Sequence, residues 1–127
     1  MKKIKTALIS VSDKKNLKPL LNVLRKNKVK IISSGGTFKE IKKLRFNCIE
    51  VSEFTNFPEL LEGRIKTLHP KIHAGILARG QRDSDELKML GAKKIDLVVV
   101  NLYPFSEEVA KNSSEREIIE KIDIGGP

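Results

Sequence analysis

Residues 63–82, Gly-Arg-Ile-Lys-Thr-Leu-His-Pro-Lys-Ile-His-Ala-Gly-Ile-Leu-Ala-Arg-Gly-Gln-Arg, carry five Lys/Arg and two His but no Asp or Glu. A stretch of that charge is suited to meeting an anion. Pro70 and Gly75 interrupt any long helical pattern, so Arg64, Lys66 and Lys71 read as residues of a shaped loop. A planar guanidinium and a compact ammonium on one loop can grip a phosphate from two sides. A second anion signal is Ser33-Ser34-Gly35-Gly36-Thr37. Its side chains are small, its two glycines permit close backbone approach, and the helix that should follow offers unpaired N–H groups at its positive end. The plainer reading, a strand-to-helix turn in which Thr37 only caps, competes with the phosphate cradle until the acid-free basic stretch is set beside it.

Other reactive residue types are sparse. His69 and His73 stand four apart, a spacing that could hold a metal on one helix face, but position 70 is Pro and no acid lies between Glu62 and Asp83. The zinc-protease pattern is therefore absent, and His69 reads instead as the residue before a helix-starting proline. No Cys/His pair or Gly-x-Ser-x-Gly elbow supports a Ser or Cys nucleophile. Tyr103 sits where a strand should end and Pro104 turns the chain, so its hydroxyl could enter a site at the sheet edge or pack in the core. Asp123, between Ile122 and Ile124 and just before Gly125-Gly126, could cap a turn or face an oxyanion held by the glycine N–H groups.

The elements that must position these residues follow from hydrophobic periodicity. Residues 4–11 predict a strand, and Leu17, Leu20, Leu21 and Leu24 recur at helical spacing, with Pro19 in the first turn. A second strand is expected over Val29–Ser33, a helix opening at the capping-box spacing Thr37-Phe38-Lys39-Glu40, and a third strand over Asn47–Val51. Lys39, Lys42, Lys43 and Arg45 would solvate that helix opposite Phe38, Ile41 and Leu44. Asp83-Ser84-Asp85-Glu86 predicts a helix to Leu90 ending at Gly91, followed by a buried strand over Ile95–Leu102. Ser114-Glu115-Arg116-Glu117 has the capping-box spacing before Ile118, Ile119 and Ile122. Alternating strands and helices predict an α/β domain with an open, mainly parallel, doubly wound sheet and helices on both faces. Three polar clusters then fall at strand carboxyl ends: Ser10 to Lys14, Ser33 to Thr37, and Asn101 to Pro104. Open α/β sheets bind ligands along that edge.

With 127 residues, 39% hydrophobic and 32% charged, the chain is about one ordinary globular domain. No apolar run approaches the ~20 residues needed to span a bilayer, and no signal-peptide pattern opens the chain, so the expectation is cytoplasmic. The single Cys48 cannot close an intramolecular disulfide and reads as a buried thiol. Residues 1–105 hold 22 Lys/Arg against 10 Asp/Glu, whereas residues 106–127 hold 3 against 6, so the basic character belongs to the body of the domain. With no Trp, one Tyr and no zinc-finger spacing, that charge carries no nucleic-acid motif.

Six motifs in one order now resemble a known family: Ser-Val-Ser-Asp-Lys (10–14), Ser-Gly-Gly-Thr (34–37), Gly-Arg-Ile-Lys-Thr-Leu-His-Pro (63–70), His-Ala-Gly-Ile-Leu-Ala-Arg (73–79), Asn-Leu-Tyr-Pro-Phe (101–105) and Ile-Asp-Ile-Gly-Gly (122–126). Together, collinear over essentially the whole chain, they resemble the amino-terminal domain of the bifunctional AICAR transformylase/IMP cyclohydrolase family. The resemblance implies a methylglyoxal-synthase-like fold and closure of 5-formamidoimidazole-4-carboxamide ribotide (FAICAR) to IMP with loss of water, the last step of purine-ring synthesis. It implies that Ser34, Gly35, Gly36, Thr37 and Arg64 bind the ribotide phosphate, that Ser12, Asp13 and Lys14 support the nucleotide, and that Asn101 lies near the base. Ser10, Thr67, Leu102 and Ile124 would complete the substrate site, with Gly125 and Gly126 offering N–H donors. Lys66, Tyr103 and Asp123 would be catalytic.

The same resemblance implies no metal or other cofactor for ring closure, a homodimer for the full-length enzyme, and no nucleic-acid or membrane partner. It also implies that residues 1–127 are a fragment. The family's pattern continues through a helix bearing a further site lysine into a transformylase domain that uses 10-formyltetrahydrofolate. A methylglyoxal synthase or a phosphate-binding allosteric domain would share the fold and phosphate loop, but Lys-Thr-Leu-His-Pro and Asn-Leu-Tyr-Pro-Phe fit the cyclohydrolase better. A basic nucleic-acid-binding module would rest on charge alone.

Overall fold

The structure is a computed structural model that describes residues 2–58, 60–61, 67–101 and 114–120, the last three of these by backbone alone. Four strands, β1 (Thr6–Ser10), β2 (Lys30–Ser33), β3 (Ile49–Glu50) and β4 (Leu97–Val100), form one parallel sheet in the order β3-β2-β1-β4. Side chains alternate across it, as the two-residue strand period requires. Ala7, Ile9 and Ile31 face one side, where Leu17, Leu21 and Leu24 of α1 (Leu17–Lys26) and Ile41 of α2 (Gly35–Lys43) cover them. Leu8 and Ile32 face the other and meet Val51 of α3 (Val51–Thr55), Ile72 of α4 (Pro70–Leu77) and Ile95. The sheet is doubly wound, as periodicity predicts. Burying each of the fully enclosed Leu8, Leu21, Ile32 and Ile41 side chains contributes roughly 1.5–3 kcal/mol.

The strands are shorter than expected, and one carboxylate explains part of that. Asp96 Oδ2 accepts from the N–H groups of Lys5 at 2.9 Å and Thr6 at 3.2 Å, and the Ile95 N–H donates to the Gly75 carbonyl rather than to β1, so β4 begins only after Asp96, whose own N–H still donates to the Thr6 carbonyl at 2.9 Å. The Asn47–Val51 strand shrinks to β3, because Val51 turns inward and opens α3, a helix that periodicity did not reveal; Thr55 Oγ1 donates back to the Val51 carbonyl at 3.1 Å.

The basic stretch also requires correction, since Lys71 lies on α4 rather than in a loop. Pro70 occupies the first helical position, where its missing N–H costs nothing, and His69 caps the helix by accepting from the Lys71 N–H at Nδ1. Gly75 lies inside this helix for a packing reason. A Cβ there would stand 2.6 Å from the Lys93 carbonyl oxygen, whose chain turns to let the Ile95 N–H donate to the Gly75 carbonyl at 2.8 Å.

Among the described residues, four helices end in left-handed residues with paired return hydrogen bonds. Lys28 (φ 55) after α1, Arg45 (φ 64) after α2, Asn56 (φ 55) after α3 and Gly91 (φ 68) after α5 (Ser84–Leu90) each bond back, and the N–H of the following residue reaches back five positions, to the carbonyls of Leu24, Ile41, Ser52 and Leu87. Only Gly91 announces such an ending in the sequence. Asp83, expected to cap α5, instead pairs with Arg79 at 3.0 Å across a short 3-10 turn, Gly80–Asp83. The final capping box is realised ahead of α6 (Glu115–Glu120), with Ser114 N donating to Glu117 Oε2 at 3.1 Å and Glu117 N to Ser114 Oγ at 3.3 Å. No helix of the described residues is long and apolar enough to cross a membrane.

Candidate functional site

The carboxyl ends of β1, β2 and β4 converge, as the sheet order demands. β1 lies between the other two strands, with Ile9 beside Ser33 and Ser10 beside Val100. The polar residues after each strand therefore share one edge. After β2 the chain enters α2 through Ser34 in extended conformation and Gly35 at φ 54. That left-handed residue explains the glycine, since a side chain there would be strained. The helix thus starts two residues before the capping box predicted at Thr37, and Ser34 occupies the N-cap position without making a side-chain cap bond. The first-turn N–H groups of Gly35, Gly36 and Thr37 point out of the helix end without intrahelical acceptors.

Two side chains give this helix end groups that could hold an anion. Ser34 is 3% exposed, and its buried Oγ has no hydrogen-bond partner, a cost that an incoming acceptor would relieve. Lys14 reaches over from the loop after β1. Its Nζ donates to the carbonyls of Val11 at 3.3 Å and Ser12 at 3.4 Å, and would lie 3.6 Å from a Cβ at Gly36. An ammonium held beside a helix N-terminus adds a full charge to the partial charge of the backbone.

Thr37 plays a different part from the one its position suggests. Its buried Oγ1 donates to the Val11 carbonyl at 2.9 Å and accepts from the Val11 N–H at 3.1 Å, so the hydroxyl fastens the β1 loop onto α2. Its hydroxyl is thereby committed to the loop. Ser33 does similar work at the end of β2, donating to the Ile9 carbonyl at 2.6 Å. On the other flank Asn101 Oδ1 accepts from Ser12 N at 2.6 Å and Ser12 Oγ at 2.9 Å, while its Nδ2 donates to the Asp13 carbonyl at 3.3 Å. Asp13 is turned to its own loop, where Oδ1 accepts from Lys15 N at 2.9 Å. These cross-links were not legible in the sequence, because Asn101 and Ser12 are 89 positions apart.

The structure therefore brings together Ser10, Ser12, Asp13, Lys14, Ser34, Gly35, Gly36, Thr37 and Asn101. Thr67 is described only as a half-buried turn residue before α4, its carbonyl accepting from His69 N at 2.9 Å. Arg64, Lys66, Leu102, Tyr103, Asp123, Ile124, Gly125 and Gly126 lie outside the described residues.

Elsewhere the chemistry is quiet. His69 spends Nδ1 on its cap and packs against Phe57 with ring centroids 5.5 Å apart, and His73 Nδ1 lies 3.2 Å from the His69 carbonyl. Among the described residues no cluster of His, Cys, Asp or Glu could hold a metal. A cleft of about 360 Å³ between α4 and α5 is lined by Leu77, Leu87 and Leu90, but its one guanidinium, Arg79, is engaged by Asp83, and it lies away from the strand carboxyl ends. Burial pushes the half-buried Cys48 thiol up to about 12, with Glu50 adding to the shift and Lys42 opposing it. The thiolate is thus scarce near neutrality. Reaction with a disulfide reagent at about pH 8 should run on the order of 10² to 10³ times slower than with an unfolded chain; equal rates would show an open, ionising thiol.

Comparison with known proteins agrees with this architecture. The MGS-like domain family matches residues 16–127. The chain is 52% identical over 126 residues to the bifunctional purine biosynthesis protein PurH of Clostridium acetobutylicum, covering 98% of this chain and 25% of that protein. It is 50% identical over 129 residues to PurH of Polynucleobacter necessarius, covering 98% and 24%. The chain spans about a quarter of the length of these relatives. Among solved structures, one described as the crystal structure of ForH superposes with a TM-score of 0.78 at 31% identity, covering 98% of this chain and 64% of that one. Fold, motif order and these matches agree, and the chain belongs to the MGS-like domain family, the methylglyoxal-synthase-like class that its motifs resemble.

Proposed function

We propose that this chain is the IMP cyclohydrolase portion of a bifunctional purine-biosynthesis enzyme, closing FAICAR to IMP with loss of water. The observation that carries the reading is the cradle at the start of α2, where an unpartnered buried Ser34 hydroxyl, free first-turn N–H groups and the Lys14 ammonium converge on a space suited to a phosphate. The relatives named PurH supply the pathway. With the phosphate anchored there, the rest of a ribotide extends along the carboxyl edge toward Asn101 and the segment after it.

Ring closure asks little of a cofactor. The carboxamide nitrogen attacks the formyl carbon of the same molecule and gives up a proton as the formyl oxygen gains one, forming a cyclic carbinolamine. That hydroxyl then takes a second proton, the former formamide nitrogen loses its own, and the C–O bond breaks to release water. Orientation of the two groups supplies much of the acceleration, and stabilising charge on the formyl oxygen supplies more. Lys66 is assigned to that oxygen, Asp123 to the carboxamide proton and Tyr103 to orientation or proton relay, with Arg64 on the phosphate and Gly125 and Gly126 offering N–H donors. Ser10, Thr67, Leu102 and Ile124 line the remaining substrate surface in this reading. No metal or other cofactor takes part. In a full-length parent, 10-formyltetrahydrofolate would serve a separate transformylase domain, and the enzyme would be a homodimer in the cytoplasm.

Calorimetric titration with IMP tests the proposal. Saturable binding is expected, competed by inorganic phosphate and not by single- or double-stranded nucleic acid. Lys14→Ala should weaken it by about 1.5–3 kcal/mol, the range for a hydrogen bond to a charged group. Tight, salt-sensitive nucleic-acid binding with no affinity for IMP would reverse the assignment.

A further inference from the structure

We propose that Asn101 is a positioning residue of the anion site, acting through Lys14 rather than on the ligand. The inference rests on the phosphate reading above and deepens it. The loop from Val11 to Asn16 contains no strand or helix, so its conformation must be imposed by partners. Two side chains from other elements impose it. Thr37, in the first turn of α2, holds both backbone polar groups of Val11, and Asn101, just past the end of β4, holds Ser12 through its N–H and hydroxyl and Asp13 through its carbonyl.

The geometry between these fastenings determines where the cation goes. Lys14 Nζ takes its bearings from the Val11 and Ser12 carbonyls, which belong to the residues held by Thr37 and Asn101. A shift of Ser12 would move one of the two oxygens that hold the ammonium over Gly36. Asn101 itself has little left to offer a ligand. Its Oδ1 already accepts two hydrogen bonds and its Nδ2 makes one, so both lone pairs of the oxygen are in use. Its effect on anion affinity therefore passes through the loop.

A double-mutant cycle on the chain, with inorganic phosphate and IMP as probes, separates the possibilities. Asn101→Ala is expected to weaken phosphate binding about 5- to 10-fold, although a bare phosphate in the cradle has no base to present to this residue. In a Lys14→Ala background the same substitution should change affinity less than about twofold, because the cation it positions is gone. Asn101→Asp keeps an oxygen for Ser12 and should restore part of the loss, which also covers the case in which Asn101→Ala does not fold. Losses that add fully, or an effect confined to IMP and absent with phosphate, would show direct contact with the nucleotide and overturn the inference while leaving the phosphate site standing. Failure of the unmodified chain to bind either probe would remove the phosphate reading and this inference together.

Discussion

Replacing Lys66 with Ala is expected to lower the ring-closing rate constant at saturation by about 10² to 10³, the usual loss when one partner of a developing oxyanion is removed. Arg64→Ala should instead raise the substrate concentration required, costing about 1.5–3 kcal/mol of binding, with turnover at saturation little changed. The two cations stand only two residues apart, so proximity does not separate them; their chemistry does. A guanidinium keeps its charge at any physiological pH and presents a planar fork suited to phosphate, whereas a compact ammonium can give up a proton or follow charge as it grows. The start of α2 already has one ammonium beside it, that of Lys14. Steady-state kinetics of both variants settle the division of labour. Near-normal turnover in the Lys66 variant would leave Tyr103 and Asp123 as the catalytic candidates.

Gly75→Ala should destabilise the fold by roughly 2 kcal/mol or more, although the same change at an exposed helix position ordinarily gains up to about 1 kcal/mol. The new methyl would stand 2.6 Å from the Lys93 carbonyl oxygen and 3.2 Å from the Ile95 side chain. Neither neighbour yields readily, because Lys93 contributes backbone and Ile95 is 3% exposed in the core. Gly36→Ala is the internal control. Its methyl would meet only the far end of Lys14 at 3.6 Å, an ordinary contact, and stability should barely change. Urea midpoints for the two variants test the contrast, and equal midpoints would mean that α4 can slide away from the segment leading into β4.

The contrast between these glycines shows what a sequence of this kind reveals. Strand order, most of the helices, the doubly wound sheet and the convergence of the polar residues after β1 and β2 with Asn101 were legible, because each depends on local periodicity and on a general rule of parallel sheets. Gly75 was misread as an interruption because its reason lies in a carbonyl eighteen positions away. Asp83 was misread as a cap because Arg79 competes for its carboxylate, and that salt bridge holds the Asp83 carboxyl below its ordinary range, the side-chain bond to Arg79 being the main cause. The ends of α1 and α2 carry Lys28 and Arg45 in left-handed conformation, where only glycine would have given notice. At the site, residue types pointed to an anion as the expected ligand but not to the division of labour. Thr37 and Asn101 carry side chains that could touch a ligand, and only the spatial arrangement shows them fastening a loop.

The pairing of β1 with both β2 and β4 has a further consequence for the order of assembly. Ala7 lies beside Ile31 on one side and Leu97 on the other, so the first pairing closes a short length of chain and the second a long one. Loop closure favours the nearer partner, and β1, α1, β2 and α2 can collapse around Leu21 and Ile41 before β4 arrives. At that stage the helix end and its glycines exist, and Thr37 but not yet Asn101 tethers the β1 loop. Docking of β4 brings Asn101 to Ser12 and completes the cradle. On the phosphate reading proposed above, anion affinity would become a late event in folding, and a bound phosphate would slow the departure of β4 more than it hastens the first collapse.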